Sequence, residues 1–114
     1  MLVWFNPKCS KCRDARDILD GENVSCDIVR YLEDAPTRAE LERVMVLLGI
    51  TDPRAMMRTG EPVYAELGLA DAGPDQLLDA MTEHPILIER PIVIRGDRAV
   101  IGRPPERVRE LLES

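Results

Sequence analysis

The sequence predicts an α/β fold in the order βαβ, helical insertion, ββα, with a mixed sheet flanked by helices. Three observations carry this prediction. Residues 2–5 (Leu-Val-Trp-Phe), the alternating Val24, Cys26 and Ile28, and the paired runs 91–94 and 99–101 all have strand character. Between the first two strands, Cys12, Ala15, Ile18 and Leu19 recur at helical spacing. Strand, helix and strand within so few residues imply a parallel pair joined by a right-handed crossover.

Taken in order, the first strand covers residues 2–5, and the helix after it stops near Gly21, a usual site for a left-handed cap. The second strand runs from Val24 to about Leu32. Thr37-Arg38-Ala39-Glu40 is a capping box that opens a helix with Leu41, Val44, Met45 and Leu48 on one face, closed by Gly49. Asp52-Pro53 starts a short helix holding Ala55, Met56 and Met57, broken at Thr59-Gly60. Another short segment covers 63–67. Gly73-Pro74-Asp75 begins a helix with Leu77, Leu78 and Met81 inward, ending before His84-Pro85. Strand character returns at 91–94, turns at Gly96-Asp97 and returns at 99–101 as a hairpin. A closing helix from 104 to about 112 buries Val108, Leu111 and Leu112. This order is thioredoxin-like, with a helical insertion at about 37–84 in a single domain spanning 1–114. In such a fold the proline corresponding to Pro91 is usually cis and faces the reactive cysteine, so a cis Arg90–Pro91 bond is expected.

Composition narrows the function. At 114 residues the chain can build one core without staples, and 45% hydrophobic with 32% charged residues excludes disorder. The apolar runs are far short of a membrane span, and no signal-peptide layout follows Met1, so a cytoplasmic protein is expected. A net charge of −6 argues against direct nucleic-acid binding. Three cysteines, an odd number, suit a reducing compartment in which thiols react rather than brace.

The chemistry starts at Asn6-Pro7-Lys8-Cys9-Ser10-Lys11-Cys12-Arg13, which follows a strand and opens a helix. Cys9 therefore stands where free first-turn N–H groups and the helix dipole favour a thiolate, the nucleophilic form of cysteine. Cys12 lies one turn on. Cys-x-x-Cys beside a βαβ unit is a redox pattern, but Cys12 also falls in the helix's apolar stripe and could serve only as a small core residue. A zinc site would need about four ligands, and only Cys26 and His84 remain to supply them, so no metal is expected. Cys26 reads as a small strand hydrophobe, and His84 as a cap for its helix's last carbonyls.

Four arginines, Arg13, Arg58, Arg90 and Arg103, stand near breaks or motif positions. Each alone has an ordinary surface reading. Arg90 is the exception, because Pro91 places it near the thiol. Guanidinium forks bind tetrahedral oxyanions bidentately, so arginines around one thiolate would hold an arsenate- or phosphate-like anion. Lys8 and Lys11 also make the cysteine segment locally cationic, although solvated lysines would read the same way.

These residues resemble the thioredoxin-fold arsenate reductases coupled to glutathione and glutaredoxin. The resemblance runs nearly end to end: Asn6-Pro7-x-Cys9-x-x-x-Arg13, Tyr31-Leu32-Glu33 with Pro36-Thr37-Arg38, and Arg54-x-x-x-Arg58. It continues through Glu66-Leu67-Gly68-Leu69, His84-Pro85-Ile86-Leu87-Ile88-x-Arg90-Pro91 and Gly102-Arg103-Pro104. It implies Cys9 as nucleophile and Arg58, Arg90 and Arg103 as the arginines that bind the oxyanion and stabilise the thiol. It also implies arsenate as substrate, no bound cofactor, and a thiol-donor redox protein (glutaredoxin with glutathione, or thioredoxin) as partner. A monomer is expected.

The sequence departs from the family at two positions. Family members often carry histidine just before Asn-Pro, where this chain has Phe5, so activation of Cys9 would rest on the helix terminus, Arg13 and the other arginines. A serine-like residue usually stands three positions after the nucleophile, where this chain has Cys12. That makes Cys12 a candidate resolving or activating residue, with a Cys9–Cys12 disulfide as one consequence. It also resembles the sister Spx-type regulators, which carry a Cys-x-x-Cys switch and bind RNA polymerase. That reading, and a generic thiol-disulfide oxidoreductase, are the alternatives. A switch protein has no use for a set of oxyanion-binding arginines, which favours the reductase.

Overall fold

A computed structural model describes residues 1–112. The chain divides into two compact units, Met1–Asp34 with Arg90–Ser114, and Ala35–Glu89. The first carries a four-stranded mixed sheet of order β2-β1-β3-β4, formed by β1 (Leu2–Trp4), β2 (Asp27–Val29), β3 (Ile92–Arg95) and β4 (Arg98–Ile101). β1 pairs parallel with β2 and antiparallel with β3, and β3 and β4 form the expected hairpin. The architecture is the thioredoxin-like α/β arrangement.

Register explains the core. Val3 stands opposite Ile28 on one side and Val93 on the other, and Val93 opposite Val100. Because side chains alternate across a strand, this row shares one face of the sheet. Helix α1 (Ser10–Gly21) packs there through Cys12, Ala15 and Leu19, joined by Val108 and Leu111 of the closing segment. Trp4 and Ile92, one residue over, point to the opposite face and are also buried.

Several boundaries differ from the sequence reading. β2 ends at Val29 rather than near Leu32, because the Arg30 carbonyl accepts the N–H groups of Glu33 and Asp34 and closes a turn. The left-handed residue after α1 is Asn23, at φ 59°, rather than Gly21, which stays helical. Cys26 is half-buried against the core edge, and the closing segment is a 3₁₀ helix, Pro105–Leu111, with Leu112 half-buried behind it. The Arg90–Pro91 bond is cis as expected, and Arg103–Pro104 is cis as well.

The second unit holds α2 (Arg38–Leu48), α3 (Pro62–Glu66) and α4 (Pro74–Glu83), with 3₁₀ turns at Pro53–Met56, Leu69–Asp71 and Pro85–Leu87. The capping box is formed in both directions: Glu40 N–H donates to Thr37 Oγ1 and Thr37 N–H to Glu40 Oε1. Gly49 closes α2 at φ 72°. Leu41 and Val44 are buried as expected, but Met45 and Leu48 only half so, and Ala55 is exposed. At the end of α4, the group that meets the Ala80 carbonyl is the backbone N–H of His84, at 2.7 Å. No helix among the described residues is long and apolar enough to cross a membrane.

Candidate active site

β1 ends at Trp4, and residues 5–9 turn the chain into α1. Asn6 organises the turn. Its side-chain Oδ1 accepts the Lys8 N–H and its carbonyl accepts the Cys9 N–H, each at 3.0 Å. Its own backbone N–H works to lower the Cys12 thiol's pKa, against the larger effect of burial. Along the sequence Asn6 is legible only as part of the Asn-Pro-x-Cys motif, yet the residue shapes the loop through its side chain and its carbonyl. The signal was present: asparagine before proline, three residues ahead of a helix start, is a turn residue whose side chain bonds nearby backbone.

Cys9 is the N-cap residue of α1, with extended backbone at φ −93°, ψ 121°. Its thiol forms no ordinary capping bond, but the Cys12 backbone N–H is close enough to favour the sulfur anion. Residue Cys9 is 7% exposed and Cys12 is wholly buried. Burial pushes the Cys9 thiol up, yet it lies below its ordinary value overall. The opposing causes are the Cys12 N–H, the Cys12 thiol donating to Cys9, and the hydrogen bond and charge of Arg90.

For Cys12 the balance falls the other way. Burial, followed by the charge of the Cys9 thiolate, pushes it up to about 12, against the Asn6 N–H and Arg90. The two sulfurs are therefore unlike. Cys9 is the more acidic of the two, and Cys12 stays the protonated neighbour.

Arg90 is half-buried immediately before the cis bond to Pro91. Burial would lower its pKa, but Cys9, Tyr31 and Cys12 together raise it. Its Nε and Nη1 are buried with no hydrogen-bond partner among the described residues. Arg103 reaches this segment through Nη1, which donates to the Arg90 carbonyl at 3.2 Å. Gly102 braces the same place, its N–H donating to the Pro91 carbonyl at 2.8 Å. A Cβ on Gly102 would stand 2.9 Å from Pro91 Cγ and 3.2 Å from Val108 Cγ1, so the position has room only for glycine. Sequence reading missed that requirement.

The structure thus gathers Cys9, Cys12, Arg90 and Arg103 in one unit. Arg13 is an exposed residue of α1 whose N–H donates to the Cys9 carbonyl at 3.2 Å. Arg58 belongs to the other unit. There its N–H donates to the Leu87 carbonyl at 2.7 Å, and its guanidinium pairs with Glu61 at 2.6 Å and Glu89 at 3.8 Å. Its motif partner Arg54 has a structural task, donating to the carbonyls of Leu69, Ala70 and Ala72 and to the Tyr64 hydroxyl.

Phe5 is buried, with the Arg16 guanidinium 5.9 Å from its ring centroid. Beside the loop, a cavity of about 220 Å³ is lined by Phe5, Asn6, Pro7, Lys8, Arg30 and Glu33, among others. Cys26 takes no part in the site: its Sγ lies 3.7 Å from the Val24 carbonyl, and burial with nearby Asp20 pushes the thiol up.

Comparison with known proteins shows the family. The chain is 43% identical over 98% of both lengths to a Haemophilus influenzae protein named arsenate reductase. It is 38% identical over 96% of both lengths to one of the same name from Neisseria meningitidis. A solved arsenate reductase from Vibrio cholerae superposes with a TM-score of 0.93 at 45% identity, covering 96% of this chain and 94% of that one. The sequence profile of the ArsC family matches residues 4–111, almost the whole chain, and the protein belongs to that family.

Proposed function

We propose that this protein reduces arsenate to arsenite, with the Cys9 thiolate as nucleophile and Arg58, Arg90 and Arg103 as the oxyanion-binding groups. The observation that carries the reading is the Cys9–Arg90 pair: a thiol held below its ordinary value next to a guanidinium with two buried, unpartnered nitrogens. Unpartnered buried donors cost roughly 1–3 kcal/mol each, a cost that an anion accepting from them offsets. The names of relatives near 40% identity support arsenate as that anion.

In this mechanism the sulfur attacks arsenic, and charge building on the arsenate oxygens is met by donors already in place. Arg103 contributes through its hold on the Arg90 carbonyl and through its own charge. Arg58, which pairs with Glu61 and Glu89, joins on the strength of the Arg54-x-x-x-Arg58 motif alone. An external thiol system, of the glutaredoxin or thioredoxin kind, returns the enzyme to its reduced state.

The direct test is arsenate-dependent arsenite formation by purified protein, with glutathione–glutaredoxin and thioredoxin systems supplied in parallel. Wild type is expected to turn over with at least one donor and Cys9→Ser with none. Full turnover by Cys9→Ser would remove Cys9 as nucleophile.

A further inference from the structure

We propose that Asn6 is a positioning residue for the nucleophile: its side chain and its carbonyl set the backbone angles at which Cys9 enters α1, and with them the rate at which the thiol reacts. This deepens the reading above and rests on it. The strand side of the loop is anchored by the Phe5 N–H, which donates to the Val29 carbonyl at 2.8 Å. The helix side is anchored by the Arg13 N–H, which donates to the Cys9 carbonyl at 3.2 Å. Between these anchors Pro7 and Lys8 are exposed, so packing does not fix them. Pro7 has no N–H to offer. The Lys8 N–H goes to Asn6 Oδ1 and the Cys9 N–H to the Asn6 carbonyl, each at 3.0 Å. One residue therefore takes every backbone donor between Asn6 and the start of α1.

The hold matters because of where Cys9 stands. It is the N-cap residue, at φ −93° and ψ 121°, yet its side chain makes no capping bond. A serine or aspartate there would spend its oxygen on the N–H groups of the first turn. Here Asn6 fixes the entry into the helix from outside it, so those first-turn donors stay available to an anion. The Cys12 N–H belongs to that turn and is one of the causes that lower the Cys9 thiol. Asn6 acts through the Cys9 backbone, and the side chain it positions is the one that meets substrate.

The test compares Asn6→Ala, which loses Oδ1 and keeps the carbonyl, with Asn6→Ser, which keeps a weaker acceptor of the same kind. With glutathione and glutaredoxin as donors, kcat for arsenate should fall about 10- to 100-fold in Asn6→Ala, the scale of a misplaced reacting group. KM for arsenate should stay close to wild type, since no arginine is altered. Iodoacetamide alkylation, followed on the Cys9 peptide, should need higher pH in Asn6→Ala, and Asn6→Ser should recover part of both losses. A folded Asn6→Ala with wild-type kcat or a wild-type alkylation profile would overturn the proposal. A measurement on wild type covers the case in which Asn6→Ala does not fold: amide hydrogen exchange should find the Lys8 and Cys9 N–H groups protected. Lys8 exchange at the rate of an unstructured chain would overturn the proposal as well. Alkylation and exchange need no arsenate, so wild type that reduces none would sink the reading above while these two still decide the role of Asn6.

Discussion

The Gly102 N–H donates to the Pro91 carbonyl at 2.8 Å, tying the segment that carries Arg103 to the one that presents Arg90 beside Cys9. Two sequence-distant motifs meet there with no space for a side chain between them. The Gly102 N–H and the Arg103 side chain together hold the backbone that presents the Arg90 guanidinium.

Gly102→Ala tests that support. The added methyl must displace Pro91 or Val108, an overpacking that typically costs about 1–3 kcal/mol. Urea denaturation should show that loss. Arsenate kcat/KM should fall further than stability alone explains, because Arg90 shifts with Pro91. Unchanged stability would mean that the ring and Val108 yield freely.

Arg90 should set both the acidity of Cys9 and the barrier. Burial raises the Cys9 pKa and the Cys12 N–H, Cys12 thiol and Arg90 lower it, so removing Arg90 moves it up. In Arg90→Ala, iodoacetamide alkylation of Cys9 should need higher pH, and the rate of arsenate reduction should drop by about 2–4 kcal/mol in barrier, as for a lost oxyanion donor. Arg90→Lys should restore only part, since an ammonium lacks the planar fork. An unaltered alkylation profile would remove Arg90 from the thiol's environment.

Cys12 should make stability fall in alkali. Its folded value, pushed up to about 12 chiefly by burial, stands above the ordinary 9.0. The unfolded chain therefore loses this proton first as pH rises. Stability from the buried neutral thiol is complete below pH 9 and is lost progressively above it. The cleanest comparison is Cys9→Ala against Cys9→Ala/Cys12→Ala, which removes the opposite effect of Cys9. The single variant should lose stability more steeply above about pH 9, and parallel curves would contradict the assignment.

Much of the fold was legible because its signals are local. The capping box at Thr37, the close of its helix at Gly49, the Gly96-Asp97 hairpin and the Cys9 helix start each depend on a few neighbouring residues, and each appears as read. The misplaced end of β2 is a competition between backbone partners. Apolar residues return at Tyr31 and Leu32, but the Arg30 carbonyl takes up a turn instead.

By itself, then, the sequence determined the order of elements, the helix-mouth position of Cys9 and the candidate arginines, since periodicity, turn chemistry and motif spacing are written along the chain. Only the tertiary structure decided how Arg90 and Cys12 divide acidity between the two thiols, that Arg103 bonds the Arg90 carbonyl, and that a Cβ on Gly102 would crowd Pro91. Those facts depend on burial and on contacts between residues as far apart as Asn6, Arg90 and Gly102. Desolvation and charge act through space, so no reading along the chain contains them.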